Sequence, residues 1–121
     1  MRFRIDHTQL AIPPGGEDLA DTFYVDLLGF RVLEKPPSLA KRGGRWYDHE
    51  GTELHLGVET AFVPAKKAHV ALEVDGYDDL LAIFDEHDVE VIPDHEIEGV
   101  TRCYVHDPHG NRIELIKAER P

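Results

Sequence analysis

The feature that most constrains the fold of this chain is an internal repeat. The segment Arg45–Leu56 echoes the segment Arg102–Leu115 when two residues are dropped from the later turn. This alignment pairs Arg45 with Arg102, Tyr47 with Tyr104, His49 with His106, Glu50 with Asp107, Gly51 with Gly110 and His55 with Glu114. A period of about sixty residues that occurs only twice is too long for a solenoid and indicates a duplicated half-domain.

The repeat also includes the start of each copy. Asp6–Ile12 aligns with Ala68–Val74, which places His7 on His69 and keeps leucine in phase. Strand alternation puts His7 on the face opposite Leu10 and Ile12. The two histidines are therefore expected at equivalent places, away from the core.

Each copy predicts the element order strand, helix, strand, strand, strand. The first copy predicts strand Phe3–Ile12, a helix from Glu17 that buries Leu19, Phe23 and Leu27, strand Phe30–Glu34, and a hairpin of Arg45–His49 with Thr52–Val58. The second predicts strand Lys67–Val74, a helix from Tyr77 to about His87, strand Val89–Ile92, and a hairpin of Val100–His106 with Asn111–Lys117. The prediction is an α+β fold with two tandem βαβββ modules, 1–60 and 66–121, in a single domain 1–121.

Composition limits the partners of the chain. Asp and Glu number 24 against 13 Lys and Arg, giving a formal charge of −11, which disfavours nucleic acid and anionic membrane surfaces. The single cysteine, Cys103, lies in an apolar alternating stretch, and this is typical of a buried residue in a reducing compartment, although a nucleophile is the alternative. With no long apolar run, we expect a cytoplasmic protein.

The segment from Lys35 to Gly44 is predicted to be a loop and carries three cations, Lys35, Lys41 and Arg42. In an otherwise acidic chain these cations could orient an anionic substrate or could balance local charge. The sequence leaves both interpretations open.

Four side chains are candidate metal ligands because they occupy matching positions on the strand faces turned away from the helices. They are His7, His55, His69 and Glu114. Imidazole and carboxylate groups are common ligands of divalent metals, and three nitrogens with one oxygen suit Zn, Ni, Co, Fe(II) or Mn. The repeat register predicts one metal site shared by the two copies.

Several motifs together resemble the vicinal oxygen chelate superfamily, also called the glyoxalase, bleomycin resistance and dioxygenase superfamily. The motifs are Asp6-His7-Thr8, Phe23-Tyr24, Leu27-Leu28-Gly29-Phe30, Ala68-His69-Val70-Ala71-Leu72, and the segment Asp107–Leu115. The resemblance implies that the sheets of the two modules form a cup, and that the outer strands hold a divalent metal through His7, His69, Glu114 and His55. Glu53 lies on the same face as His55 and is the alternative ligand there.

The resemblance also implies an activity and roles for individual residues. In this superfamily the metal binds two adjacent oxygens of a small substrate and stabilises an enolate, alkoxide or peroxide. Glu114, released from the metal, and Glu53 are then the candidate bases. The candidate substrate contacts are Arg45, Tyr47, Arg102, Tyr104 and Arg112.

Three functions follow as expectations. The first is a metal-dependent lyase or isomerase acting on a small oxygenated molecule. The second is an extradiol dioxygenase, which a fourth protein ligand at His55 would disfavour. The third is a metal-free protein that binds an antibiotic or another small molecule. A homodimer is expected from the resemblance alone.

Overall fold

The computed structural model describes residues 1–119 and divides into two compact units, Met1–Pro64 and Ala65–Pro121. The boundary lies in the connection between the two predicted modules. Each unit is a four-stranded mixed sheet with helix on one face.

The first unit contains four strands and two helices. They are β1 (Thr8–Ile12), α1 (Glu17–Tyr24), β2 (Arg31–Leu33), α2 (Pro37–Ala40), β3 (Arg45–His49) and β4 (Thr52–Val58). The sheet order is β1-β4-β3-β2, in which β1 is parallel to β4 and the other pairs are antiparallel. The short helix α2 lies within the predicted loop.

The second unit repeats this arrangement. It contains β5 (Val70–Val74), α3 (Tyr77–Glu86), β6 (Ile92–Asp94), β7 (Arg102–His106) and β8 (Arg112–Lys117), with the sheet order β5-β8-β7-β6. Again only the outer pair, β5 with β8, is parallel. The structure confirms the α+β fold class and the two repeated modules.

The core of each unit lies between the sheet and its helix. Leu54 and Leu56 on β4 are 1% and 2% exposed, as their alternation predicts. The prediction for α1 was partly wrong, because the helix buries Ala20, Phe23 and Tyr24 while Leu19 is 51% exposed. The helix also ends at Tyr24, before Leu27. Residues spaced by four can lie on either of two neighbouring faces of a helix. The face that carries the aromatic residues Phe23 and Tyr24 is the one that packs on the sheet.

Two strand positions also differ from the predictions. The strand predicted from Phe3 begins at Thr8, where its pairing with Leu54 begins. The strand predicted as Val89–Ile92 is Ile92–Asp94 instead, because Pro93 pairs with Cys103 in the ladder. Pairing across the sheet, rather than local apolar content, sets both boundaries.

The register of the two sheets confirms one part of the repeat alignment and corrects another. Gln9 pairs with His55 and Ala71 pairs with Glu114, so His55 and Glu114 occupy equivalent positions. On the neighbouring strands, Trp46 pairs with His55 and Tyr104 pairs with Glu114. The equivalent of Tyr104 is therefore Trp46, and the predicted match of Tyr47 with Tyr104 is wrong by one residue.

The cause of this slip is the turn length. His49 pairs with Thr52 across the turn Glu50-Gly51, whereas the backbone N–H of Asp107 donates to the carbonyl of Asn111 at 2.9 Å across Pro108-His109-Gly110. The later turn is longer by one residue rather than two. A slip of one residue transfers every side chain of a strand to the other face, and this decides which residues of β3 belong to the candidate site.

No helix within residues 1–119 has both the length and the apolar character required to cross a membrane.

Candidate functional site

The polar face of the second sheet holds a contact between His69 and Glu114. His69 Nε2 lies 2.9 Å from Glu114 Oε1, and His69 Nδ1 lies 2.9 Å from the carbonyl oxygen of Lys67. A carbonyl oxygen only accepts, so Nδ1 carries a proton and donates it. In the neutral ring the lone pair is then on Nε2, and it points at the carboxylate.

Glu114 is ionised in this environment. Burial of the side chain acts to raise the pKa of Glu114, but a hydrogen bond from His69, formed when Nε2 also carries a proton, and the hydrogen bond from Arg102 more than offset this and hold the pKa below its usual value. A lone pair and a carboxylate repel each other unless a positive charge lies between them. That charge is either a second proton on His69 or a metal ion bound by both groups, so the donor chemistry of this pair fits a metal.

The predicted substrate contacts of the second unit gather around Glu114. Arg102 Nη1 donates to Glu114 Oε2 at 3.1 Å, and the Arg112 guanidinium lies 3.8 Å from the centre of the Tyr104 ring. The Tyr104 ring meets His69 edge to face at 5.5 Å. The structure therefore brings Arg102, Tyr104 and Arg112 to one face with the candidate ligands His69 and Glu114.

Sequence reasoning missed Asp94, which holds Arg102 in place. Arg102 Nη2 donates to Asp94 Oδ1 at 3.0 Å, and the two residues pair directly between β6 and β7. The hydrogen bond to Glu114 is the main cause that raises the pKa of Arg102 above its usual value. The predicted position of β6 was wrong, so this cross-strand pair could not be found from the sequence.

The polar face of the first sheet carries a stack of three rings. His7 stacks on His55 with centroids 3.9 Å apart and planes 12° apart, and Trp46 stacks on His55 at 4.5 Å and 11°. His55 is only 5% exposed, and its Nε2 lies 3.1 Å from Glu53 Oε2. The structure thus brings His7, His55 and Glu53 together. Trp46 was missed because the misaligned register assigned it to the opposite face.

His7 has a second contact that orients its ring. Its Nδ1 lies 2.9 Å from Asp6 Oδ2, so a proton on Nδ1 is held by a carboxylate and Nε2 is left with its lone pair. A carboxylate on the far nitrogen is the usual arrangement behind a histidine that binds metal. The side chain is 40% exposed, and it is therefore accessible to an ion from solvent.

A cavity of about 490 Å³ opens on this face of the first unit. Its volume is in the range of small-molecule sites. It is lined by the ring stack, by charged and polar side chains and by part of β4: Asp6, His7, Gln9, Lys35, Leu39, Arg42, Gly43, Trp46, Glu53, His55, Leu56, Gly57 and Val58. The candidate ligands of the first unit thus line a site large enough for a substrate.

Arg45 and Tyr47 are not on this face, which corrects their predicted placement. They pair with Leu56 and Leu54 and share the helix side of the sheet. Tyr47 Oη donates to Asp21 Oδ1 at 2.6 Å, and Arg45 Nη2 donates to Asp21 Oδ2 at 3.2 Å and to Asp18 Oδ1 at 3.1 Å. The hydrogen bond to Asp21 raises the pKa of Arg45. Both residues attach α1 to the sheet.

Replacing Tyr47 with phenylalanine should therefore affect stability rather than ligand binding. Tyr47 is fully buried, and a hydrogen bond to a charged group contributes about 1.5 to 3 kcal/mol. We expect the free energy of unfolding in urea to fall by about that amount, with metal affinity unchanged. Unchanged stability together with weakened metal binding would show that Tyr47 belongs to the candidate site after all.

The loop at the end of the cavity is held by Glu17 on α1. Glu17 Oε2 accepts a hydrogen bond from the backbone N–H of Gly44 at 2.7 Å. That hydrogen bond is the main cause that lowers the pKa of Glu17 below its usual 4.5. The contact fixes the loop to the first helix most strongly while the carboxylate is ionised.

This contact predicts a dependence of stability on pH. A lowered pKa in the folded protein means that the stabilisation is complete above the unfolded pKa and is lost as pH falls through the folded pKa. Wild type should be more stable than Glu17→Gln at pH 7, and the difference should shrink as the pH falls below about 4.5. Urea unfolding at pH 7, 5, 4 and 3 measures it; a difference that stays constant would show that the carboxylate charge is not involved.

Cys103 is 1% exposed, and burial raises the pKa of its thiol. These properties favour the packing role that the sequence predicts, since a nucleophilic cysteine requires an accessible thiolate.

Among residues 1–119, no three His, Cys, Asp or Glu side chains form a group that could hold a metal ion. The candidate residues within each unit lie in pairs instead, the stacked rings of His7 and His55 and the contacting side chains of His69 and Glu114. A pair supplies half of a four-ligand coordination sphere.

Comparison with known proteins identifies the family. The sequence profile of the Glyoxalase/Bleomycin resistance protein/Dioxygenase superfamily matches residues 4–115. The chain belongs to this superfamily, and the predicted resemblance is confirmed.

Solved structures extend the comparison. The chain is similar to a glyoxalase family protein from Bacillus anthracis, with 43% identity, a TM-score of 0.91, and coverage of 98% of this chain and 100% of the other. The lactoylglutathione lyase of Agrobacterium tumefaciens has 20% identity and a TM-score of 0.68, with 92% of each chain covered. The fosfomycin resistance protein FosX of Listeria monocytogenes has 12% identity and a TM-score of 0.77, with 98% and 96% covered. The last two share the fold. No curated protein sequence matches the chain.

Proposed function

We propose that this protein is a metal-dependent enzyme of lyase or isomerase type, which binds a small substrate through two adjacent oxygens. In this proposal His7, His55, His69 and Glu114 bind one divalent cation, with Glu53 as the alternative to His55. Among the solved structures that share this fold, one is a lactoylglutathione lyase and one a fosfomycin resistance protein, and the name of the first fits the lyase type proposed here.

The observation that carries the proposal is the contact between His69 and Glu114. Nδ1 of His69 is committed to the Lys67 carbonyl, so Nε2 and an ionised carboxylate face each other at 2.9 Å. The carboxylate of Glu114 is also held by Arg102, which prevents it from turning away. An oriented imidazole next to an oriented carboxylate is a preformed half of a metal site.

The first unit supports the proposal by the same logic. His55 occupies the place equivalent to Glu114, and His7 precedes its strand as His69 precedes its own. Asp6 orients His7, and Trp46 fixes the plane of His55. Each unit thus holds two candidate donors whose side chains are fixed by their neighbours.

The residues around the donors suit proton transfer next to a carbonyl. A divalent cation, when bound, lowers the pKa of a coordinated oxygen or a neighbouring carbon acid and stabilises the negative charge that develops. Glu114, when it is not held as a ligand, is one candidate to accept a proton at a carboxylate oxygen, although its hydrogen bond from Arg102 makes it a weak base. Glu53, whose side chain is 35% exposed at the cavity, is the other candidate base. Tyr104 and Arg112 present a hydroxyl and a cation on the face of Glu114.

The charge of −11 supports a small molecule rather than nucleic acid as the partner. The single buried cysteine is typical of a cytoplasmic protein.

Hydrogen exchange tests this function without knowledge of the natural substrate. Metal-loaded protein is incubated in D2O with small 2-hydroxy ketones and aldehydes, and deuterium uptake next to the carbonyl is followed by NMR. We expect uptake that requires the metal and is lost in Glu114→Gln. Stoichiometric metal without any exchange would contradict the enzymatic proposal and favour a binding protein.

A further inference from the structure

We propose that Arg42 and Lys35 form an anion-binding subsite at one end of the cavity in the first unit. The substrate would then be a small oxygenated acid whose anionic group lies remote from its two chelating oxygens. This inference rests on the proposed function and deepens it by naming the substrate class.

The loop that carries Arg42 is fixed over the end of β4. The Lys35 ammonium donates to the carbonyl of Gly43, and the N–H of Gly44 donates to Glu17. A Cβ on Gly43 would lie 3.1 Å from Val58 Cγ2, so the loop packs directly against the last residue of the strand. Arg42 is therefore held at the Val58 end of the cavity.

The candidate metal ligands lie farther along the same strand. His55 and Gly57 are two residues apart on one face of β4, which corresponds to about 7 Å along a strand. The Gln9 side chain covers Gly57, since a Cβ there would lie 2.6 Å from Gln9 Nε2. The floor between the histidines and the loop is thus a polar amide. A substrate bound to both ends must place its anionic group roughly 7 Å or more from the chelating oxygens.

The charges of the cavity are separated along the same direction, from the histidines to the loop. Its two carboxylates, Asp6 and Glu53, are engaged with His7 and His55. Its two non-histidine cations, Lys35 and Arg42, come from the loop. The Glu17 carboxylate is not part of the lining but interacts with Lys35, so Arg42 supplies most of the uncompensated positive charge at this end. In a chain with a net charge of −11, a cationic end of a cavity is where an anion gains most in binding.

Arg42 is available for a ligand, in contrast to Arg45. The guanidinium of Arg45 is held by Asp18 and Asp21, whereas Arg42 is exposed and has no ion-pair partner among residues 1–119. If the loop cations only balanced local charge, Lys41 would be equivalent to Arg42. Lys41 is exposed but does not line the cavity, and this makes it the matched control.

The test compares two ligands of equal chain length, 2-hydroxyadipate and 2-hydroxyhexanoate, which differ only in a terminal carboxylate or methyl group. Calorimetry on metal-loaded wild type should give about tenfold tighter binding of 2-hydroxyadipate, the effect of one charge-assisted hydrogen bond. In Arg42→Gln the ratio of the two affinities should fall towards one. In Lys35→Met, which removes a cation that also holds the Gly43 carbonyl, it should fall as well. Lys41→Gln should retain the wild-type ratio.

The outcomes separate this inference from the proposed function. Because the loop cations act independently of the metal, the preference for the terminal carboxylate should persist, at lower affinity, in chelator-treated protein. Equal binding of the two acids, or failure of both to bind, in loaded and chelator-treated protein would overturn the subsite. So would a preference unchanged in Arg42→Gln. Failure to bind metal with the preference retained would contradict only the proposed function.

Discussion

Replacing His69 with alanine should abolish stoichiometric metal binding and leave the protein folded. The side chain is 24% exposed and contributes little to the core, so its removal should cost little stability. Mutation of groups that merely orient a metal ligand lowers affinity 10- to 100-fold. Loss of a ligand itself should therefore weaken binding by more than about 100-fold, measured by calorimetry with Zn²⁺ or Co²⁺.

The matched control is His95→Ala, which removes an exposed histidine outside both donor pairs. Thermal unfolding of both variants in the presence of chelator verifies that they remain folded. Equal metal affinity in His69→Ala and His95→Ala would contradict the assignment of His69 as a ligand.

The largest effect on stability is expected from Gly44→Ala. Gly44 has φ +85°, a conformation that costs a residue with a Cβ about 1 to 2 kcal/mol, and the added Cβ would lie 2.1 Å from the carbonyl oxygen of Leu56. The backbone must move to relieve that contact, and overpacking of this kind costs about 1 to 3 kcal/mol more. We expect a total loss of about 2 to 5 kcal/mol in the free energy of unfolding.

Gly51→Ala separates the two contributions. Gly51 also has positive φ, +92°, but a Cβ there would meet nothing within 4 Å. Urea unfolding should show that Gly44→Ala is the more destabilising substitution. Equal losses would mean that the loop can move away from β4, and the fixed position of Arg42 would then be in doubt.

The repeat made most of the fold predictable from sequence. Because the half-domain is duplicated, each element is predicted from two segments of sequence. The helical pattern that begins at Glu17 is thus supported by the helical pattern that begins at Tyr77. The equivalence of His55 and Glu114 survives in the observed registers because their strands pair with β1 and β5 at matching positions. Strand alternation then placed both on the polar face.

The placement of Trp46 and Tyr47 could not be predicted because it depends on turn length. Matching arginine and tyrosine residues favoured an alignment that was wrong by one residue, and on a strand this reverses the face. Hydrogen bonds between distant elements could not be predicted from the sequence either, including those of Tyr47 with Asp21 and of Arg102 with Asp94. Such contacts depend on how a helix or an edge strand packs on the sheet, and no local pattern specifies that packing.

Zinc-edge X-ray absorption of the loaded protein tests the central claim most directly, because it counts the imidazoles around the ion. If both donor pairs bind one cation, the spectrum should show three imidazole nitrogens at about 2.0 to 2.1 Å with one carboxylate oxygen. A spectrum with two imidazole nitrogens and two carboxylate oxygens would mean that Glu53 binds the ion in place of His55, and the shared site would stand. A single imidazole, or two with no carboxylate, would show that one pair acts alone and would contradict the account.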